Sequence, residues 1–422
     1  MDSSPDAQHT AAAVVPAPLP RQFWLLLVAS GASNLADGVF KVVVPLLAVT
    51  LVRDPLLVAG VAVATSLPWL VCSLPVGAFV DRADRRQVML VANIARSLVA
   101  ATLATLGAVG LLNIWALYVC GVAIGIAEVF YDTSSQSILP QIVAAAQLPK
   151  ANGHLYAVEM SLNSFVGPPL GGLLMGLGVL LSLGAPTALW VLAVGGLLCI
   201  RGGFRVERET APKRLISEIA EGLRFLARHR VLRTLAVLTG VGNMANSAAY
   251  AVFVLFAVGV GSPLGLTDSQ YGLLLGTSAV GSLIGAVFAA PIIERVGRSR
   301  SLGVAVLLWA GVVGIPVFTT NVWIIGAVYV IGGCGISVWN VIVVSLRQTI
   351  VPPVLLGRLN SAYRLLAWGT IPVGSAIGGV LAKLVGLRPL FAIMAVVVLL
   401  PLLLLPEITE SRLRAAEAAV ES

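Results

Sequence analysis

The sequence predicts an all-α membrane protein with twelve transmembrane helices in two pseudo-symmetric six-helix bundles. Three observations predict it. Hydrophobic residues make up 58% of the 422 positions and charged residues only 11%, too few to cover the surface of a soluble domain of that length. Apolar runs long enough to cross a hydrocarbon core of about 30 Å recur along the chain. Those runs lack the alternation of an outer-membrane barrel, which leaves helices as the spanning element.

Residues 1–21 are rich in Ala and Pro and carry no Lys or Arg before Arg21, so they read as a disordered cytoplasmic tail rather than a signal peptide. A first bundle is expected over 22–200, with spans at 22–50, 56–80, 87–110, 114–138, 151–177 and 181–200. Residues 201–231 form the one long hydrophilic stretch. Apolar residues at helical spacing between Leu215 and Leu226 predict an amphipathic helix on the cytoplasmic interface. A second bundle follows over 232–406, with spans at 232–259, 269–293, 301–319, 322–346, 359–382 and 389–406, and then a tail over 407–422.

Arg and Lys set the orientation. One set of loops carries Arg82, Arg85, Arg86, Lys150, the basic linker, Arg295, Arg298, Arg300 and Arg358, while the opposite set holds Arg53, Lys383 and Arg388. The asymmetry predicts a multi-pass inner- or plasma-membrane protein with both termini cytoplasmic. It also accounts for the net charge of +8 without nucleic acid, because the basic residues lie in short clusters between apolar runs.

The halves resemble each other. Gly31, Asn34, Ala36 and Asp37 of the first span recur as Gly240, Asn243, Ala245 and Asn246 of the seventh. Gly167, Gly171 and Gly172 recur as Gly374, Gly378 and Gly379. Matches in the same order at a nearly constant offset indicate a six-plus-six repeat.

The loop after span two, Gly77-Ala78-Phe79-Val80-Asp81-Arg82-Ala83-Asp84-Arg85-Arg86, resembles the cytoplasmic loop signature of the major facilitator superfamily. Its counterpart in the second half keeps Glu294, Arg295 and Arg298. The expected roles are physical. Gly77 lets helices approach closely, Asp81 caps or faces a helix N-terminus, and Arg82, Arg85 and Arg86 pair with carboxylates when the halves close. Span five, with Asn163 four residues before Gly167-Pro168-Pro169-Leu170-Gly171-Gly172, resembles the antiporter signature of that superfamily, with Asn163 in place of its leading Gly. The span-four ending Gln136 to Pro140 and the segment Pro352 to Asn360 are similar to the enterobactin-exporter and macrolide-efflux type. The resemblance implies an exporter whose halves seal against a leak, with a cavity lined by spans one, four, seven and ten.

Ionisable groups inside spans are few, and a charge at a helix centre costs about 2.5–3.5 kcal/mol on insertion scales. The candidates for proton coupling are Glu128, Asp37, Asp132 and Glu159. The candidates for the substrate cavity are Asn34, Lys41, Tyr131, Asn243, Asn246, Tyr250, Trp339 and Asn340. Asp37 and Lys41 are one turn apart and are expected to pair, whereas Glu128 has no basic neighbour on its own helix. Arg96 is expected to pair with a loop acid or to snorkel.

No nucleotide-binding loop, no metal-ligand spacing and no nucleophile with a base is present, so neither a cofactor nor an enzyme activity is expected. Cys72, Cys120, Cys199 and Cys334 lie in apolar runs as small core residues. The reading is a monomeric secondary transporter that exports a small amphipathic molecule, drug-like or siderophore-like, by alternating access in exchange for protons. An importer of a small nutrient and a polytopic receptor or scaffold are the alternatives.

Overall fold

The computed structural model describes residues 18–205 and 215–421. Residues 1–17 and 206–214 lie outside the described residues, so the expectation of a disordered leading tail falls mostly outside them. The first half contains α1 (Arg21–Leu51), α2 (Pro55–Val80), α3 (Arg85–Ala108), α4 (Ile114–Ile142), α5 (Leu148–Glu159), a π segment (Met160–Val166), α6 (Gly167–Leu177) and α7 (Val179–Leu198). The linker holds α8 (Leu215–Arg228). The second half contains α9 (Arg230–Ala257), α10 (Asp268–Val296), α11 (Arg298–Phe318), α12 (Val322–Ile350), α13 (Pro353–Val385) and α14 (Leu387–Leu399), which runs on as a 3-10 helix (Leu400–Ile408). Helix α15 (Glu410–Glu421) follows.

Eleven of these segments are long and apolar enough to cross a membrane. The twelfth crossing is the composite of α5, the π segment and α6. Pro168 and Pro169 have no backbone N–H to donate, so a regular helix cannot run through them, and the turn widens to π spacing just before. Pro401 and Pro406 likewise tighten the end of span twelve into a 3-10 helix. Local chemistry marks the other boundaries. The Asp54 carboxylate accepts from the N–H groups of Leu56 and Leu57 at the start of α2, and Asn113 and Asn321 do the same for α4 and α12. Thr267 and Gln270 form a capping box on α10. Gly178, at φ 129°, makes the tight turn from α6 to α7.

Large apolar side chains such as Val119 and Val287 are about two-thirds exposed, as a lipid-facing surface requires. The core inside each half comes from α1 packed on α6 and α7, and from α9 packed on α13 and α14. The last segment is more than a tail: α15 is a helix with Leu413 fully buried.

The halves touch along two seams, α6 with α10 and α2 with α13. A Cβ placed on Gly172 would lie 2.5 Å from the Asp268 carbonyl oxygen and 2.9 Å from Gly272 Cα. A Cβ on Gly379 would lie 2.7 Å from Ala59 Cβ and 3.2 Å from Leu56 Cα. The repeat thus places equivalent glycines at equivalent crossings, where only hydrogen leaves room for backbones to meet. Both crossings lie at the end of the bundle remote from the chain termini.

Candidate functional site

Between the halves is a central cavity with two lobes that share Lys41, Met160, Asn163, Ser164, Asn246 and Tyr250 as lining. The lobe on the first half measures about 500 Å³ and carries the acids Asp37, Glu128, Asp132 and Glu159 beside Trp69 and Trp368. The lobe on the second half measures about 580 Å³ and is lined by Phe253, Val312, Pro316, Tyr329 and Phe391, with Ser278, Ser282, Ser337 and Asn340 among its polar groups.

Two ion pairs organise the acidic lobe, and neither is the one the spacing predicts. Asp37 does not pair with Lys41. It accepts from Arg96 of α3 at 3.2 and 3.3 Å, and the same guanidinium donates to the Ser33 hydroxyl at 3.2 Å. Arg96 is fully buried, with its guanidinium against the rings of Tyr131 and Trp190. It therefore neither snorkels nor meets a loop acid. A desolvated guanidinium aimed at Asp37 holds that carboxylate more strongly than a neighbour along a cavity wall. Lys41 reaches across the cavity instead, 3.7 Å from Glu128 of α4, and donates to Asn163 Oδ1 at 3.2 Å. Asn163, at the position where the antiporter signature has Gly, also donates to Asn34 Oδ1 at 3.4 Å. Glu128 thus has a basic partner, supplied by another helix. Among the described residues, Asp132 and Glu159 make no ion pair.

The other candidates divide. Asn34, Asn246, Tyr250 and Asn340 line the cavity. Tyr131, Asn243 and Trp339 do not. Tyr131 is 1% exposed and packs on Arg96, Asn243 donates to the Ala367 carbonyl at 2.7 Å, and Trp339 stacks edge-on against Trp309. Helical spacing gave these residues the correct helices, but the helix rotation turns them into the packing between spans. Trp69, Trp368, Phe253 and Tyr329 are lining residues the sequence did not single out, because an aromatic in an apolar span has no distinguishing mark.

The two loops at the termini end are each anchored within their own half. Asp81 is the C-cap residue just past α2, and the side chain that caps the N-terminus of α3 is Asp84, which accepts from Gln87 N and Phe204 N. Arg85 donates to the Phe204 carbonyl at 3.0 Å, and Arg86 donates to the carbonyls of Leu197 at 2.8 Å and Leu198 at 3.0 Å. These bonds tie the loop to the chain leaving α7, so in this conformation neither arginine meets a carboxylate of the other half. Arg82 lies in the turn between the two helices. A Cβ on Gly77 would meet nothing within 4 Å, so this glycine mediates no close approach here. In the second half, Arg298 forms ion pairs with Glu410 at 3.1 Å and Glu417 at 2.5 Å, while Glu294 and Arg295 end α10. Both loops are therefore fastened to the exit of their half's last span.

In the span-five motif, Gly167 and Gly171 face α1. A Cβ on Gly167 would lie 2.6 Å from Gly38 Cα, and one on Gly171 would lie 2.8 Å from the Val39 carbonyl. Gly172 faces α10 of the other half, whose Gly272 would in turn place a Cβ 2.5 Å from the Pro168 carbonyl. The motif thus joins the wall of the cavity to the seam that closes it.

Two six-helix halves with a cavity between them, closed at one end, are the architecture of a polytopic transporter. The chain belongs to the transmembrane secretion effector family of the major facilitator superfamily, whose model matches residues 13–422. It is 30% identical over 401 residues to the multidrug efflux pump Tap of Mycobacterium tuberculosis, which covers 88% of this chain and 90% of that one. Tap of Mycolicibacterium fortuitum is 28% identical, covering 90% and 93%. In fold the chain is similar to a bacterial homologue of the iron transporter ferroportin in an inward-facing state (TM-score 0.72, 18% identity, 93% and 99% covered). It is also similar to the nucleoside transporter NupG (TM-score 0.70, 12% identity, 92% and 100% covered).

Proposed function

We propose that the chain exports small amphipathic molecules, drug-like or siderophore-like, in exchange for protons, as a monomer whose termini face the cytoplasm. The observation that carries the export direction is the similarity to the efflux pump Tap over most of both chains. With the termini in the cytoplasm, the glycine seams shut the cavity toward the outside, the state in which an exporter loads. The kinship to Tap supports efflux, and the acids of the first lobe support protons as the exchanged ion. The Arg/Lys asymmetry supports the orientation. Glu128 is the proposed proton carrier: its Lys41 partner is half exposed and 3.7 Å away, so protonation releases Lys41 to Asn163. Asp37 is clamped by a fully buried Arg96 and so is held to a fixed partner inside the bundle. Asp132 and Glu159 complete the set.

The test is transport in everted vesicles energised by respiration. Substrate is expected to accumulate inside, an uncoupler to abolish accumulation with ATP still present, and Glu128→Gln to retain substrate exchange while losing gradient-driven accumulation. Accumulation that persists under an uncoupler rejects proton exchange. Uptake confined to right-side-out vesicles identifies an importer.

A further inference from the structure

Resting on the reading of the cavity as one that opens to either side in turn, we propose that Arg364 of α13 and Glu159 of α5 form an ion pair across the halves that closes the termini end. Alternation needs such a contact, and the two loop signatures do not supply it. Arg85 and Arg86 are spent on the carbonyls of Phe204, Leu197 and Leu198, and Arg298 on Glu410 and Glu417. In this conformation α4 and α5 make no extended contact with the second half. At the opposite end the molecule already uses a pair of this kind: Lys383, near the far end of α13, binds Asp54 of the first half at 2.7 Å. Helix α13 therefore carries one base whose partner is met and, toward its other end, a second base whose partner is not.

That second base is Arg364. Its guanidinium carbon lies 4.7 Å from the ring centroid of Trp368 on its own helix and 5.9 Å from that of Trp69 on α2, and it makes no hydrogen bond or ion pair among the described residues. Aromatic faces hold a partly exposed guanidinium only weakly. Glu159 and Asp132 lie within electrostatic reach of it, and neither has an ion pair among the described residues. Lys41, the other base near Glu159, is engaged by Glu128 and Asn163. Depth matches as well. Glu159 precedes the seam glycine Gly172 by thirteen residues and Arg364 precedes Gly379 by fifteen, on spans the repeat makes equivalent. Both therefore stand about 20 Å from their seams, toward the termini. When the halves rock together at this end, α5 approaches α13, and the guanidinium exchanges a ring face for a carboxylate, the stronger contact. Lys383 with Asp54 and Arg364 with Glu159 are thus alternatives: the first pair holds in this state, the second in the other.

The experiment measures spin-label distances in the full chain in lipid nanodiscs, with neither substrate nor proton gradient present. Labels at position 152 of α5 and position 361 of α13, both exposed, report the termini end. The unsubstituted chain is expected to show a minor short-distance component beside the main one. Arg364→Gln and Glu159→Gln are each expected to reduce that component about two- to fivefold. The charge-reversed double variant, Arg364→Glu with Glu159→Arg, should restore it, which no loss of packing alone would allow. Labels at positions 180 and 260, exposed at the opposite end, should lose their wider component in the single variants and regain it in the double. Absence of the short component from the unsubstituted chain, a short component unchanged by Arg364→Gln, or a double variant no better than the single ones overturns the proposal. These distances do not depend on transport direction. The expected distances together with uptake confined to right-side-out vesicles would reject export and leave the gate standing, while undiminished efflux by Arg364→Gln would do the reverse.

Discussion

At Asp37, spacing along one helix and packing between helices give different partners. Four residues separate it from Lys41, and that spacing does place both on one wall of the cavity. Asp37 nevertheless points back into the bundle, to a guanidinium from α3 that is wholly out of solvent. Removing one partner of a buried ion pair costs about 3–5 kcal/mol, because it strands the other charge. Arg96→Ala is therefore expected to lower the melting temperature of the detergent-solubilised protein sharply. The double variant Asp37→Asn with Arg96→Gln should recover most of that loss. A double variant as unstable as the single would show that the packing of the Arg96 stem on Tyr131 and Trp190, and not the charge pair, holds the site. Lys41 is the simpler case: it bridges α1 to α4 and to the π segment through Glu128 and Asn163, so its loss should affect the cavity more than the fold.

Among the elements, the composite fifth span does the most varied work. Its Gly-Pro-x-x-Gly-Gly run breaks regular helix spacing, packs Gly167 and Gly171 on α1, and packs Gly172 on α10. The repeat gives α13 the same task, with Gly374 and Gly378 against Met244 and Ala248 of α9 and Gly379 against α2. Adding bulk at a filled crossing costs about 1–3 kcal/mol. Gly172→Leu is expected to part the α6–α10 seam and destabilise the closed end, read as a lower melting temperature and as labelling from the outside of a cysteine introduced at the cavity-lining Ser164. Gly77→Leu, whose Cβ has open space around it, should leave both measures unchanged. Equal sensitivity at the two positions would remove the special place of the seam. The signature glycines were legible as small residues in a span, but not which neighbour each one faced, because helical period fixes a face without saying what it meets.

At the scale of the whole molecule, a polar latch adds to the glycine seams. Arg53 donates to the Val258 carbonyl at 2.9 Å, and Lys383 of α13 donates to Asp54 at 2.7 Å. Both contacts join the loop between α1 and α2 to the second half. The Lys383 hydrogen bond, helped by the N–H groups of Leu56 and Leu57, holds the Asp54 carboxyl below its ordinary 3.8. A depressed acid contributes its stability above the ordinary value and loses it as pH falls through the lowered one, so the latch should stay closed throughout pH 5 to 8. Solvent screens an exposed pair of this kind, so its contribution is small. Lys383→Met keeps the Asp54 cap and is expected to shift the population toward the outside-open state by up to about fivefold. Spin-label distances between positions 180 and 260, both exposed at that end, would show a wider component. An unchanged distance distribution would assign closure to the glycines alone.

The sequence by itself determined the class of molecule, the number of spans, most of their ends and the repeat. Each follows from chain-local physics: apolar length against bilayer thickness, basic residues between the apolar runs, and the small and polar residues that recur at a nearly constant offset. It also placed Asn34, Lys41, Glu128, Asp132, Glu159 and Asn246 on the helices that line the cavity. Only the tertiary structure decided which acid meets which base. Arg96 to Asp37, Lys41 to Glu128 and Arg298 to Glu410 and Glu417 are all contacts between different helices. Their geometry depends on the rotation of each helix against its neighbours, which depends in turn on the fit of many small and large side chains at once. The same rotation turned Tyr131, Asn243 and Trp339 into packing and brought Trp69 and Trp368, from opposite halves, together at the cavity wall. Period and composition are properties of one segment, whereas charge pairing and cavity lining are properties of several segments held in register.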